Sequence, residues 1–281
     1  SIAKAVSFRE AMNLLILSSS TGGGHEMRAN ALKSWWTEEK GQARILRPLE
    51  NGFKLYRWGT SLYNTIQKNL PLFHYLYFYF LEYASLHRGP RRIIGSKSLL
   101  NEAKNFSPDL ILSVHAHLNH GYFRLIRDSL PAKKGKFVIF CGELDDGHGF
   151  SRHWINPEAD LFAGPFEETC RAAVRRGMPE KKTMATGPLL RKAFYEKAGP
   201  GERDDFLKKF GLSDSLKTYV LGTGANGVNR HREVIDAFER SGDRCQLLAL
   251  CGKNEATLAE LNRMKARAKV PFEALPELSA S

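Results

Sequence analysis

The chain's densest set of chemistry-bearing residues is Ser20-Thr21-Gly22-Gly23-Gly24-His25, which follows the buried-strand pattern Leu14 to Ser18. Consecutive glycines let backbone amides approach a ligand closely, and amides opening the next helix favour an anion or a developing negative charge. An imidazole at that helix start lies at the carboxyl edge of a parallel sheet, where open α/β proteins hold ligands. His25 is therefore a candidate general base, with Gly22, Gly23 and Gly24 around the ligand. A tight βα turn would account for the glycines without any chemistry. A second loop, Val220-Leu221-Gly222-Thr223-Gly224-Ala225-Asn226-Gly227, matches G-x-G-x-x-G between a strand and a helix. A dinucleotide site also needs an acid at the end of the next strand, and that strand ends in Cys251-Gly252-Lys253-Asn254 instead. Gly222, Gly224, Asn226 and Gly227 thus read as a phosphate or sugar-nucleotide loop rather than an NAD site, with a plain turn as the alternative.

Three further stretches carry reactive side chains. His115-Ala116-His117-Leu118-Asn119-His120 has the histidine density of a metal site but no nearby carboxylate to complete one, so His115 is read as lining a cleft at its strand's end. Cys141-Gly142-Glu143-Leu144-Asp145-Asp146-Gly147-His148 ends another strand and precedes Trp154. Glu143 and His148 are placed there for hydroxyl binding or proton transfer, while Asp145 and Asp146 read equally well as solvated loop charges. Gly164 to Thr169 reads as a strand-to-helix turn without chemistry. The run from Pro71 to Tyr83 alternates Phe, Tyr and Leu, and Lys68, Arg88, Arg91 and Arg92 flank it. It is either a core helix or an interfacial element in which Phe73, Tyr77 and Phe80 enter a headgroup layer and Arg88, Arg91 and Arg92 meet anionic lipid.

Alternating short apolar runs and amphipathic stretches position these residues, the pattern of a parallel α/β sheet. Strands are expected at Leu14 to Ser18, Leu110 to His115, Phe137 to Cys141, Leu161 to Ala163, Thr218 to Gly222 and Gln246 to Cys251. Helices are expected at Glu26 to Glu39, Arg91 to Asn105, His120 to Ser129, Glu167 to Arg176, Arg230 to Arg240 and Ala256 to Lys269. The Gly-Pro-rich stretch Gly187 to Asp205 marks a boundary between residues 1–195 and 206–281. Only two strands and two helices are expected after it, so the second half reads as truncated. The start at Ser1 and the end at Ser281 point to a fragment.

At 281 residues, 42% hydrophobic and 26% charged, the chain has the composition of a globular protein with room for about two domains. Lys and Arg outnumber Asp and Glu 42 to 30, an excess that favours a polyanionic partner such as nucleic acid, an anionic membrane or a phosphorylated ligand. The four scattered cysteines fit a reducing cytosolic compartment. No run approaches the roughly 20 apolar residues of a spanning helix, so membrane contact is expected to be peripheral.

Taken together, these residues resemble the monogalactosyldiacylglycerol synthase and processive diacylglycerol glucosyltransferase group of glycosyltransferase family 28. The resemblance rests on Ser18 to His25, Pro108 to His115, Glu143 to His148 with Trp154, Thr186-Gly187-Pro188, Gly222 to Gly227 and Leu250 to Asn254, in family order across nearly the whole chain. It implies a GT-B fold of two Rossmann-like domains, an N-terminal acceptor domain (1–195) and a partial nucleotide-sugar domain (206–281). It implies an inverting, metal-independent enzyme without a cofactor that moves galactose or glucose from a UDP-sugar, as co-substrate, to diacylglycerol. The expected partners are a UDP-hexose, diacylglycerol and an anionic membrane surface, not nucleic acid, and the expected location is cytoplasmic and peripheral on a membrane face. The family's late turn and helix, with the acid that grips the donor ribose, is absent from this chain. Rival expectations are a polyprenyl-lipid-linked N-acetylglucosaminyl transferase, a UDP-sugar epimerase, a noncatalytic membrane-binding module and, remotely, a hydrolase with a metal on His115, His117 and His120.

Overall fold

The computed structural model describes residues 12–20, 23–39, 41–51, 79, 82–83, 93, 96–131, 135–147, 150–222 and 230–277. The chain divides into two compact units, residues 1–195 and 196–281. The first unit is built on a six-stranded parallel sheet: β1 (Asn13–Leu17), β2 (Gln42–Leu46), β3 (Leu110–Ser113), β4 (Lys136–Phe140), β5 (Leu161–Gly164) and β6 (Thr183–Ala185), in the order β2-β1-β3-β4-β5-β6. Every pairing is parallel, with Leu14 opposite both Ala43 and Leu110.

A strand covered on both faces must be apolar throughout rather than in alternation. Leu14, Leu15, Ile16 and Leu17 of β1 are accordingly all fully buried. On one face Leu15, Leu17, Ile111, Phe137, Ile139 and Phe162 pack with α2 (Lys97–Phe106) and α3 (Gly121–Ser129) through Ala103, Phe106, Tyr122, Phe123 and Ile126. On the other face Leu14, Ile16, Leu112, Val114 and Phe140 pack against α1 (Gly24–Glu38) through Ala29, Leu32 and Trp36. A further helix, α4 (Glu167–Arg175), follows β5.

Successive strands are placed on opposite sides of β1: the chain goes to β2 on one flank and then to β3 on the other. Such a reversal opens a crevice above the carboxyl ends of the two strands, because their following loops diverge. Ser18 to Ser20 follow the carboxyl end of β1, and Val114 and His115 follow that of β3.

Among its described residues the second unit has three parallel strands, β7 (Lys217–Gly222), β8 (Cys245–Leu250) and β9 (Phe272–Leu275), in the order β7-β8-β9. Three helices accompany them: α5 (Glu202–Lys209), α6 (His231–Ser241) and α7 (Glu255–Met264). This corrects the sequence expectation of two strands and two helices. Phe272–Leu275 is only four residues long and Glu273 interrupts its apolar run, so it carries little strand signal, yet Phe272, Ala274 and Leu275 are buried. Ile235, Leu247, Ala249, Leu261, Phe272 and Ala274 form this unit's core. β7 is an edge strand with Val220 63% exposed.

Entry into α1 depends on Gly23, whose φ of 75° caps the helix in a region that L side chains rarely adopt. Gly23→Ala is expected to destabilise the chain by about 1–2 kcal/mol. Urea denaturation of the two forms measures this, and equal midpoints and slopes would contradict it.

Candidate active site

The site gathers around His25, the second residue of α1. Its ring Nδ1 lies 2.6 Å from the main-chain oxygen of Val114, the residue that continues β3 beyond Ser113. A carbonyl can only accept, so Nδ1 carries the proton and Nε2 of the neutral ring keeps its lone pair. Val114 is itself held by its N–H bonding to Leu17 O at 3.0 Å, so the two central strands determine where His25 points. Burial lowers the His25 pKa from 6.5 to about 4, the positive charge of Arg28 adds to the fall, and the Val114 carbonyl opposes it. His25 is thus neutral at pH 7 and able to accept a proton.

A string of imidazoles runs from this point. The His25 and His115 ring centroids are 4.4 Å apart, His115 and His117 are 5.6 Å apart, and His117 and His153 are 4.6 Å apart. Nδ1 of His115 accepts the His117 main-chain N–H at 3.3 Å, which makes His115 neutral in the opposite tautomer from His25. Trp154, almost fully buried, places its ring 6.4 Å from that of His25. Among the described residues, no group of three or more His, Cys, Asp or Glu is arranged to hold a metal ion.

Arg28 and Glu143 close the other flank. Arg28 Nη2 donates to Gly142 O at 3.1 Å, in the loop after β4. Burial raises the Glu143 carboxyl pKa, while Arg28 and a hydrogen bond from the Trp154 side chain hold it back. Thr169 of α4 braces this loop, its hydroxyl donating to the main-chain oxygens of Glu143 at 2.8 Å and Leu144 at 3.0 Å. Gly164 to Thr169, to which sequence reasoning assigned no chemistry, therefore supports the site indirectly. Asp146 is tied by Arg175 at 2.8 Å and by Arg176, and Asp145 accepts the Gly147 N–H at 2.8 Å, so both acids shape the loop.

Two carboxylates pin the glycine turn from outside. Glu50 Oε1 accepts from Ser19 Oγ at 2.7 Å, Ser20 N at 2.6 Å and Ser20 Oγ at 3.0 Å, ahead of the glycines. Behind them, Glu26 is held by Arg47, with Nε to Oε2 at 3.0 Å. Arg47 and Glu50 belong to one short stretch after β2, so the turn is fastened at both ends to the same support.

His25, His115, Glu143, Gly23 and Gly24 are thus brought to one corner of the first unit. Gly22, His148, Gly224, Asn226, Gly227 and the six lipid-contact candidates Phe73, Tyr77, Phe80, Arg88, Arg91 and Arg92 lie outside the described residues. Gly222 ends β7. Between Phe80 and Arg88 in sequence, the Glu82 carboxylate accepts Ser151 Oγ and Arg152 N, both at 2.6 Å, and Arg152 Nη2 donates to Tyr83 O at 3.2 Å. Tyr83, 72% exposed, lies under the Arg152 guanidinium at 5.6 Å. Sequence reasoning missed Arg28, Glu50 and Arg47, which carry no motif. It also missed His231 of α6, fully buried with Nε2 3.0 Å from Leu250 O.

The fold is of the GT-B type, as its likeness to solved structures shows. The GT-B likeness spans 95% of the chain in HepE of Anabaena, solved in complex with UDP-glucose (TM-score 0.58, 12% identity, 70% of that chain). It spans 96% in a glycosyltransferase of Rickettsia africae (TM-score 0.58, 10% identity, 69% of that chain). In sequence, the chain is similar to the chloroplastic monogalactosyldiacylglycerol synthase of Spinacia oleracea, 23% identical over 266 residues, 89% of this chain and 49% of the relative. Monogalactosyldiacylglycerol synthase 1 of Arabidopsis thaliana is 22% identical over 265 residues, 89% and 49%. The chain spans about half the length of the curated relatives it matches. No family model matches it.

Because the folded His25 titrates near 4 and the free side chain near 6.5, only the unfolded chain takes up this proton between those values. The stability that neutral His25 contributes is present in full above about pH 6.5 and is lost as pH falls toward 4. At about 1.4 kcal/mol per unit the loss approaches about 3 kcal/mol. The difference between the stability–pH curves of the native chain and His25→Gln isolates it, since Glu143, with its raised pKa, acts in the opposite sense in both. Parallel curves would show that His25 is not depressed.

Proposed function

We propose that this chain is part of a glycosyltransferase that moves a hexose, galactose or glucose, from a UDP-sugar to the hydroxyl of diacylglycerol. The observation that carries the reading is the neutral His25, its Nδ1–H clamped on Val114 O beside the glycine turn at the sheet's reversal. In the proposed step, His25 Nε2 takes the acceptor hydroxyl's proton as its oxygen bonds to the anomeric carbon. The bond from that carbon to the diphosphate oxygen breaks, its electron pair leaves with UDP, and the configuration inverts. The ring is neutral at rest, and the negative charge gathering on the departing diphosphate would raise its otherwise low proton affinity as the step proceeds.

The support for each half differs. The sugar-nucleotide donor is supported by the fold shared with a UDP-glucose complex and by the glycine-rich sequence between β7 and α6, whose Gly222, Gly224, Asn226 and Gly227 would lie against the phosphates. The diacylglycerol acceptor is supported by the named activity of the sequence relatives. Peripheral attachment to an anionic membrane face rests on the basic excess and on the aromatic segment, of which Tyr79 and Tyr83 are exposed. Among the described residues no helix is long and apolar enough to cross a membrane. The UDP-sugar is a co-substrate, and no metal or other cofactor enters the proposed step.

Protein made from the whole reading frame that contains this chain is expected to transfer labelled hexose from UDP-galactose or UDP-glucose to diacylglycerol in anionic vesicles. His25→Ala is expected to lower turnover on the order of 10²–10⁴-fold. Near-native turnover in that variant would remove the base role. Transfer to a polyprenyl-linked sugar in place of diacylglycerol would overturn the acceptor, and vesicle binding without consumption of UDP-sugar would leave a noncatalytic module.

A further inference from the structure

Arg28 lies one turn beyond His25 on α1, half-buried, and belongs to no sequence motif of the site. Its guanidinium curls back over the first turn, so that a Cβ added to Gly24 would lie 3.8 Å from Nη2. It also fills the space that a side chain at residue 142 would need, since a Cβ added there would fall 2.0 Å from Cζ and 2.3 Å from both terminal nitrogens. With Nη2 bonded to Gly142 O, the head group is therefore trapped between the glycine turn and the loop after β4. No carboxylate among the described residues forms an ion pair with it within 4 Å, and Glu143 acts on it only through its field. A half-buried cation so sparsely compensated is costly to keep, and burial pulls its own pKa below the ordinary value.

We propose that Arg28 is a positioning residue for His25: seated in the space left by the missing side chain of Gly142, it bolts the start of α1 to the β4 loop and fixes a positive charge beside the imidazole. The proposal rests on the reading of His25 as the base, and it deepens that reading by naming what holds the ring in place and uncharged. The geometry forms a closed circuit. His25 faces Trp154, the Trp154 side chain bonds Glu143, and Glu143 adjoins Gly142, on which Arg28 is anchored. The charged group acting on His25 is Arg28 on its own helix, the His115 ring after β3 lies beside it, and Cys141 and Glu143 after β4 act on Arg28 in turn. Of these, Arg28 is the permanent cation. The planar fork of arginine can lie flat in a Cβ-free slot and keep one fixed bond, whereas a lysine here would keep the charge beside the imidazole without that bond.

The test follows the imidazole signals of His25 by NMR against pH in native protein, Arg28→Met, Arg28→Lys and Gly142→Ala, with backbone spectra to show that each is folded. The titration midpoint is expected to rise by about one unit in Arg28→Met, where the neighbouring charge is gone. It should stay low in Arg28→Lys, and it should rise in Gly142→Ala, where the new methyl group evicts the guanidinium that remains in the chain. An unchanged midpoint in both Arg28→Met and Gly142→Ala would overturn the proposal. If Arg28→Met does not fold, Gly142→Ala and Arg28→Lys decide alone: a shift in the first with none in the second supports it, and no shift in the first refutes it. Turnover of UDP-hexose by the same variants separates this from the enzymatic reading. A midpoint that moves while turnover is indifferent to His25 keeps Arg28's role and removes the base, whereas an acidic limb of the pH–rate profile that moves with the midpoint supports both.

Discussion

The hydrogen bond from His25 Nδ1 to the Val114 carbonyl is the constraint around which the first unit's candidate site is arranged. It joins a helix that follows β1 to the chain that follows β3, and so it exists only because those two strands are neighbours pointing the same way. It selects the tautomer, and with it which ring nitrogen can take a proton. Everything nearby limits how that bond can move. Gly23 sets the entry to α1, Glu50 and Arg47 fasten the two ends of the glycine turn, and Arg28 ties the first turn of the helix to the next loop along the sheet.

The second unit repeats the device with a different result. His231 opens the helix after β7 and bonds the carbonyl of Leu250, at the end of the adjacent β8. Here Nε2 is the bonded nitrogen, Nδ1 has no partner among the described residues, and the ring is fully buried. In both units, then, a histidine at the mouth of the helix after the leading strand reaches across to a neighbouring strand's end. A parallel sheet leaves its last carbonyls unpaired at that edge, and an imidazole N–H is long enough to reach one from the adjacent helix. The half-buried His25 directly follows Gly24 at the start of its helix, while the buried His231 reads as a structural tie.

Much of the architecture was legible in the residues because parallel strands buried on both faces write continuous apolar runs. Leu14 to Leu17, Leu110 to Leu112 and Phe137 to Phe140 stand out for this reason. The strands that escaped notice are edges. Gln42–Leu46 has exposed and half-covered residues, Thr183–Ala185 is three residues long, and Phe272–Leu275 is interrupted by Glu273. Short edge strands take their identity from a neighbour's hydrogen bonds rather than from their own pattern. His25, His115 and Glu143 could be selected because strand ends in an α/β protein converge. Arg28 could not be, because its partner is the absent side chain of a glycine 114 positions away, a relation that only the folded sheet creates. The aromatic run from Pro71 onward was read as either core or interface, and its described end is anchored through Glu82 on the turn that carries His153 and Trp154.

The most direct test is the tautomeric state of His25, read from nitrogen-15 shifts and long-range ring couplings in selectively labelled protein at pH 7. A neutral ring with its proton on Nδ1 and a bare Nε2 is the expected result. A ring protonated on Nε2, or an imidazolium at that pH, would contradict the placement of His25 on the Val114 carbonyl and its role as a proton acceptor.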